Sequence, residues 1–270
     1  MTIWQQRHAD LLDALVQHSR LGLVADFDGT LSPIAPTPDA AQLSARNREL
    51  LALLRNQLAL VGVVSGRGVR DLRDRVGLDG LTYIGNHGLE RWVDGRVEIV
   101  PEARSYRPAL EAVMAEVTPL LVGGTIVEDK DATISIHYRL AEAPDRVQAT
   151  LGPRIEKIAQ AHGVRFFEGH RVFELRPPVQ IDKGTAFRGL IEEFVLDAAV
   201  FIGDDTTDAD ALRVARELRS NGMCYALGVG VEASGTPASV RESADFLLPG
   251  VPGVEEFLSW LSSAASASDT

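Results

Sequence analysis

Short apolar runs alternate with segments of helical periodicity along much of the chain. The runs are rich in β-branched residues and predict buried strands at residues 21–25, 60–64, 81–84 and 199–202. Leucine, valine or phenylalanine recurs at three- and four-residue steps in the segments that we predict as helices, residues 42–56, 69–75 and 185–194. Strands that alternate with helices are typical of a parallel sheet covered by helices on both faces. We therefore predict an α/β fold with a doubly wound, Rossmann-like parallel-sheet core.

The middle of the chain has a different pattern. A helical segment is followed by alternating strands at residues 125–128 and 133–139, a helix over 146–162, and strands at 164–167 and 172–175. Strict alternation is expected of a sheet with one buried face. We predict an inserted α+β cap domain at residues 106–176, with a core domain formed by residues 1–105 and 177–270.

Composition excludes several classes of partner. The net charge is −11 and the isoelectric point is about 5.0, so the chain lacks the basic surface that nucleic acid or an anionic membrane requires. No apolar stretch reaches the roughly 18 residues needed to span a bilayer. A single cysteine, Cys224, excludes an internal disulfide and a cysteine-based metal site. We expect a cytoplasmic protein that binds a small molecule, and a monomer is compatible with this composition.

Two carboxylates follow the first predicted strand. Asp26 and Asp28 are two residues apart, so in an extended chain both side chains would project to the same side. Such close carboxylates repel each other, and Mg²⁺ is a natural cation to keep both ionised. Gly29 permits a tight turn, and the Thr30 hydroxyl is placed to orient Asp28. The alternative for an isolated pair of this kind is a simple turn or helix cap.

Polar side chains follow the other predicted strands too. Ser65, Gly66 and Arg67 offer a hydroxyl and backbone N–H groups that suit phosphate oxygens, although Ser-Gly turns are also common without any function. Lys183, at a predicted helix start, supplies a positive charge that could bridge a carboxylate and a phosphoryl group, or could be a surface lysine. The carboxyl ends of strands in an open α/β sheet converge on one ligand site.

The last motif is a run of aspartates after the strand at 199–202. Four aspartates lie within residues 204–210, and their mutual repulsion costs stability unless a cation offsets it. Mg²⁺ binds few protein carboxylates directly, so we expect one or two ligands here, with Asp204 first. Asp205 is included in the predicted set, and which of Asp205 and Asp208 touches the metal, directly or through water, stays open. The spacing lacks the ligand alternation of a helix–loop–helix calcium site.

These four motifs, in this order, resemble the haloacid dehalogenase superfamily. A closer resemblance is to trehalose-6-phosphate phosphatases, and it rests on further motifs at residues 85–88, 128–130, 137–139, 174–177 and 203–210. Two positions depart from the family pattern: Phe27 stands where tyrosine is usual, and Ala209 replaces a common glutamate.

The resemblance implies a Mg²⁺-dependent phosphatase that hydrolyses trehalose 6-phosphate through an aspartyl-phosphate on Asp26. Asp28 would act as general acid and base, and Lys183 would complete the catalytic set. The implied metal ligands are Asp26, Asp28, Asp204 and Asp205. The implied substrate-binding residues are Thr30, Ser65, Gly66, Arg67, Asn86, His87, Glu128, Lys130, Arg139 and Glu174.

Other interpretations remain open on the same residues. Another sugar-phosphate phosphatase or a phosphomutase would keep the core motifs and differ in the cap, whereas a catalytically silent regulatory domain is disfavoured by the intact aspartates and lysine. Arg139, Glu174 and Arg176 could equally form cross-strand ion pairs within the cap, and Glu128 and Lys130 could occupy a solvated hairpin turn. His137 is equally compatible with a structural role and is not included in the predicted site.

Overall fold

The computed structural model describes residues 2–35, 38–169 and 171–268, which fold into two compact units. The first unit comprises Met1–Val97 and Ile181–Thr270, and the second unit comprises Glu98–Gln180. The predicted insert, residues 106–176, lies inside the second unit. The observed unit is longer at both ends, because a short helix at Pro101–Arg104 and the chain after the last strand also belong to it.

The first unit is built on one eight-stranded sheet in the order β12-β11-β10-β1-β2-β3-β4-β5. Its strands are β1 (Leu21–Ala25), β2 (Leu60–Val64), β3 (Thr82–Gly85), β4 (Glu90–Val93), β5 (Arg96–Ile99), β10 (Ala198–Gly203), β11 (Tyr225–Glu232) and β12 (Phe246–Pro249). The strands from β12 to β3 pair in parallel, and β4 pairs antiparallel with β3. The predicted parallel core is confirmed, and each of its four predicted strands is found within one residue of its expected ends.

Helices cover both faces of this sheet, as a doubly wound fold requires. They are α1 (Ile3–Arg7), α2 (Ala9–Leu15), α3 (Ala45–Leu54), α4 (Val69–Val76), α8 (Lys183–Glu193), α9 (Asp208–Ser220), α10 (Ala238–Ser243) and α11 (Gly250–Ser268). Alternate side chains of β1 enter two separate cores: Leu23 packs with α2, α3, α4 and α11, and Val24 packs with α8 and α9. In the described part of the chain, no helix combines the length and the apolar character needed to cross a bilayer.

The second unit has an antiparallel four-stranded sheet in the order β6-β7-β9-β8. Its elements are α5 (Pro101–Arg104), α6 (Arg107–Val117), β6 (Ile126–Asp129), β7 (Ile134–His137), α7 (Pro144–Ala161), β8 (Arg165–Gly169) and β9 (Val172–Arg176). Ile134, Ile136, Phe173 and Leu175 are buried in one core with apolar side chains of α6 and α7. The helices therefore cover one face of the sheet, and the predicted α+β architecture is confirmed.

The register of the parallel strands aligns the ends of four of them. Ala25, the last residue of β1, pairs with Ile202 on β10 and with Val63 on β2, and Val64 pairs with Ile84 on β3. The residues that follow these strands consequently lie along a single edge of the sheet. In open α/β sheets this is the edge at which ligands bind.

Candidate active site

A tight turn follows β1 and carries Asp26. The Asp26 backbone N–H donates to the Ile202 carbonyl on β10 (2.9 Å), which extends the sheet pairing by one residue. The chain then reverses: the Phe27 carbonyl accepts from the backbone N–H groups of Leu31 (2.9 Å) and Ser32 (2.8 Å). Asp26 is 4% exposed and Phe27 is fully buried. The strand and the turn together hold the Asp26 carboxylate in a buried position.

Gly29 and Thr30 join this turn to the end of β10. Gly29 has φ +80°, and a Cβ at this position would lie 2.1 Å from Oδ2 of Asp204. Only glycine allows both the left-handed conformation and this close approach. The Thr30 hydroxyl donates to Oδ1 of Asp204 (3.0 Å). Thr30 was predicted to orient Asp28 and to bind substrate, but its observed contact is with Asp204.

Lys183 is the first residue of α8. The helix is capped by Asp182, whose carboxylate accepts from the backbone N–H of Thr185 (2.8 Å). The Lys183 ammonium donates to Oδ1 of Asp26 (2.8 Å) and to Oδ1 of Asp208 (2.7 Å). All three side chains are at most 5% exposed. Lys183 was predicted to bridge a carboxylate and a phosphoryl group, and the structure shows its contact with the Asp26 carboxylate.

Asp208 was left open beside Asp205 as a metal contact and was not included in the predicted site. Its Oδ2 accepts from the backbone N–H groups of Asp204 (3.1 Å) and Asp205 (3.0 Å), and its Oδ1 accepts from Lys183. The sequence signal was its place at the start of a helix within the aspartate run, where a carboxylate can accept backbone N–H groups. Asp208 thus ties the loop after β10 to Lys183.

The buried carboxylates form a strongly acidic cluster. Oxygens of Asp26, Asp204 and Asp208 all lie within 4.8 Å of one another. Burial raises the pKa of Asp26 well above its ordinary value, and the Asp208 charge raises it further, while Lys183 lowers it only in part. Burial and the Asp208 charge also raise the pKa of Asp204 to about 7. The neighbouring positive charge and hydrogen-bond donors therefore do not fully stabilise the negative charge of these three carboxylates.

Lys183 keeps its proton in this cluster. Burial alone would lower the pKa of the ammonium, but the charges of Asp208 and Asp26 outweigh burial and leave the pKa raised. One ammonium nevertheless faces three carboxylates. Oxygen ligands in this number and this close together suit a hard divalent cation.

Asp28 has a different partner. Arg67 donates to both of its oxygens, from Nε to Oδ2 (2.6 Å) and from Nη2 to Oδ1 (2.8 Å). Arg67 also donates to Asp71 on α4 (3.0 Å), and its guanidinium lies 5.5 Å from the centre of the Phe27 ring. Burial would lower the pKa of Arg67, but the hydrogen bonds and charges of Asp28 and Asp71 together outweigh burial and leave the pKa raised. The Asp28 carboxylate is outside the acidic cluster, and the exposed Asp205 is outside it as well.

The loops after β2 and β3 interlock beside this turn. Ser65 is 2% exposed, and its carbonyl accepts from the backbone N–H of His87 (3.0 Å), while the Arg67 carbonyl accepts from that of Asn86 (2.8 Å). Asn86 and His87 have φ of 47° and 58°, a conformation unusual for residues other than glycine. A Cβ at Gly66 would lie 2.6 Å from the His87 ring. Strained backbone of this kind persists only where its surroundings hold it, and it is common at functional sites.

The predicted residues of the second unit lie on and beside its sheet. Oε2 of Glu128 lies 2.9 Å from Nε2 of His137 and 3.8 Å from Nζ of Lys130. Glu174 forms an ion pair with Arg176 on the same strand, rather than the cross-strand pair left open from sequence. Arg139 is exposed and lies beyond the end of β7. Among the predicted residues of this unit, Glu128 and Lys130 are in contact through their ion pair.

The sequence matches a known protein family and curated proteins. A family model described as trehalose-phosphatase matches residues 24–248. A trehalose-phosphate phosphatase of Mycobacterium marinum is 38% identical over 194 residues, 69% of this chain and 49% of that protein. One from Mycobacterium tuberculosis is 36% identical over 197 residues, 70% of this chain and 50% of that protein. The chain thus spans about half the length of these curated relatives.

A solved structure is similar over nearly the whole chain. The C-terminal domain of trehalose-6-phosphate phosphatase from C. albicans has a TM-score of 0.75 and 21% identity, covering 95% of this chain and 96% of that one. At 21% identity, this structural similarity is evidence for a shared fold.

Proposed function

Because the chain belongs to the trehalose-phosphatase family, we propose that it hydrolyses trehalose 6-phosphate to trehalose and phosphate. The observation that carries the proposal is the buried contact of Lys183 with Asp26 and Asp208, beside Asp204. A carboxylate held at a strand end next to a fixed ammonium is arranged as a nucleophile for an anionic phosphoryl group.

The acidic cluster fits the divalent cation that the family implies. Its donors are buried carboxylate oxygens, and their raised pKa values reflect unbalanced negative charge. We assign Mg²⁺ to Asp26 and Asp204. Asp28 and Asp205 were also predicted as ligands, but their carboxylates lie outside the acidic cluster and are not assigned to the cation. Asp208 is already bonded to Lys183 and to two backbone N–H groups, so it positions the others. When bound, the cation would neutralise phosphoryl charge and allow an anionic nucleophile to approach.

The chemistry assigned to the chain has two steps. An Asp26 oxygen attacks phosphorus, the bond from phosphorus to the sugar oxygen breaks, and Asp28 gives its proton to that oxygen. Water then attacks the phosphorus of the aspartyl-phosphate, Asp28 takes a proton from this water, and phosphate leaves with Asp26 restored. Arg67 donates to both oxygens of Asp28 and so orients this carboxylate. To carry the proton, Asp28 has to give up one of these two bonds. Ser65 and Lys183 are proposed to bind the non-reacting phosphate oxygens.

We assign sugar recognition to the second unit. Glu128, Lys130 and Glu174 offer charged groups that form strong hydrogen bonds with hydroxyls. Register supports the grouping, because Ser135 on β7 pairs with Glu128 on β6 and with Glu174 on β9. These carboxylates therefore project from the same face of the sheet.

Phosphate release from a panel of substrates tests the proposal. Trehalose 6-phosphate, sucrose 6-phosphate and glucose 6-phosphate should be compared in the presence of Mg²⁺, with EDTA as the metal-free control. We expect trehalose 6-phosphate to be the preferred substrate and EDTA to abolish the reaction. A preference for glucose 6-phosphate would overturn the substrate assignment while leaving the phosphatase chemistry in place.

The variant Asp26→Asn tests the nucleophile. It keeps the size of the side chain and its acceptor oxygen but removes the attacking charge, so we expect a loss of at least about 10³-fold in kcat. The matched control is Asp210→Asn, which changes another aspartate of the same unit that pairs with Arg213 outside the cluster. Equal activity in Asp26→Asn and Asp210→Asn would rule out a covalent step at Asp26.

A further inference from the structure

The sheet of the second unit has two chemically different faces. Ile134, Ile136, Phe173 and Leu175 point into the core beneath α6 and α7. Side chains alternate along a strand, so Ser135 and His137 point to the opposite face. Glu128 pairs with Ser135 and shares this face, which makes it the diagonal neighbour of His137.

His137 makes a direct contact with Glu128. Its Nε2 lies 2.9 Å from Oε2, the same oxygen that lies 3.8 Å from the Lys130 ammonium. The side chains of Lys130 and His137 are 9% and 27% exposed, so both contacts are partly shielded from water. A hydrogen-bond partner and an ammonium that converge on one oxygen restrict rotation of the carboxylate. An ionised carboxylate has about four lone-pair sites over its two oxygens, so the group keeps acceptor capacity for a hydroxyl.

The hairpin that carries Glu128 is held by separate contacts. Arg107, at the start of α6, donates to both oxygens of Asp129 (2.6 and 2.7 Å), and the Lys130 backbone N–H donates to the Thr133 carbonyl (2.9 Å). These bonds fix the backbone around Glu128 without His137. The contact with His137 therefore acts mainly on the direction of the Glu128 side chain.

We propose that His137 is a positioning residue for sugar recognition, which presents the Glu128 carboxylate in one orientation to the substrate hydroxyls. The inference rests on the proposed function and extends it to a residue that sequence alone left unassigned. A merely structural cross-strand pair would stabilise the sheet equally well but would leave substrate affinity unchanged when removed.

The test uses His137→Leu, which removes the polar contact, and His137→Gln, which keeps an N–H donor near the position of Nε2. Phosphate release from trehalose 6-phosphate and from p-nitrophenyl phosphate, which has no sugar, is measured in the full chain with Mg²⁺. We expect His137→Leu to raise KM for trehalose 6-phosphate about tenfold with little change in kcat, because a bond to a charged group is lost. His137→Gln should recover most of this loss, and p-nitrophenyl phosphate hydrolysis should stay within about twofold of wild type.

His162→Leu is the matched control. His162 lies at the end of α7 and its Nε2 is 2.7 Å from Oε1 of Glu116 on α6, so it forms the same kind of pair at a similar exposure away from the sheet face. Its removal should leave KM within about twofold of wild type. In a Glu128→Gln background, adding His137→Leu should likewise have less than about a twofold effect, because the two residues act as one unit.

Three results would overturn the inference. They are an unchanged KM in His137→Leu, an equal loss on both substrates, or a full additional loss in the Glu128→Gln background. If wild type releases no phosphate from trehalose 6-phosphate, the substrate assignment fails and this inference fails with it. If wild type is active and His137→Leu matches His162→Leu, only the inference fails.

Discussion

The variant Gly29→Ala imposes two separable costs on the site. An alanine at φ +80° enters the left-handed region, which costs about 1–2 kcal/mol. Its Cβ would also stand 2.1 Å from Oδ2 and 2.5 Å from Cγ of Asp204, so this carboxylate would have to move. The move would break the 3.0 Å bond from Thr30. The backbone strain lowers the free energy of unfolding. The displacement of the Asp204 carboxylate weakens the binding of a cation to it.

Gly95→Ala separates the two costs. Gly95 has φ +82°, but nothing lies within 4 Å of a Cβ built there. The only destabilisation expected in this variant is therefore that of the left-handed backbone conformation. At about 2–4 °C per kcal/mol, we expect Gly95→Ala to lower Tm by about 2–8 °C with normal activity.

The decisive measurement is the Mg²⁺ dependence of phosphate release, with the Mg²⁺-induced rise in Tm as a second readout. Gly29→Ala should require about 10–100 times more Mg²⁺ than wild type, the usual effect of disturbing the support of a metal ligand. Gly95→Ala should match wild type. A Gly29→Ala protein with the Mg²⁺ dependence of Gly95→Ala would refute the assignment of Asp204 to the metal and the reasoning from close approach.

Three further predictions follow from the charges in the site. Lys183→Met should lower the free energy of unfolding by about 3–5 kcal/mol at pH 8, because it leaves buried carboxylates uncompensated, and by less at pH 5 in urea titrations; an equal loss at both pH values would contradict this. Because the pKa of Asp204 is raised to about 7, its contribution to the stability of the metal-free protein is present at low pH and lost as the pH rises through 7. Mg²⁺ competes with that proton, so its effect on Tm should be larger at pH 8 than at pH 6, and a pH-independent effect would argue against this ligand. Arg67→Lys cannot reproduce the paired bonds to Asp28 and should lower kcat about tenfold on both trehalose 6-phosphate and p-nitrophenyl phosphate; a loss on the sugar substrate alone would assign Arg67 to sugar binding instead.

The parts of the fold that depend on local pattern were predictable from sequence. The buried strands β1 and β2 were found at their predicted ends because apolar β-branched runs and the polar residues after them are both local signals. The hairpin of β4 and β5 was not predicted, although Asp94-Gly95 is a typical two-residue turn and both residues have positive φ. Its strands are only partly buried, so their apolar pattern is weak.

The partners of the site residues could not be predicted in the same way. Arg67 follows β2 and has the chemistry of a phosphate ligand, but its bonds to Asp28 depend on how two distant turns meet at the sheet edge. Asp208 was recognisable as part of an acidic run and its bonds to the backbone of Asp204 and Asp205 are local, but its bond to Lys183 depends on where α8 places that lysine. Strand pairing brings such residues together, whereas the direction of each side chain is set by packing that no short motif encodes.

The distribution of charge explains why this site calls for a metal ion. The chain carries a net charge of −11, and two cations of its site are already bound to its own carboxylates: Lys183 to Asp26 and Asp208, and Arg67 to Asp28. Each such bond weakens the attraction that the same cation can offer to an incoming phosphate. These two cations therefore orient carboxylates first, and the divalent cation proposed above would balance the phosphoryl charge that they leave. A divalent ion at Asp26 and Asp204 would meet that requirement at the atoms where the unbalanced charge is greatest.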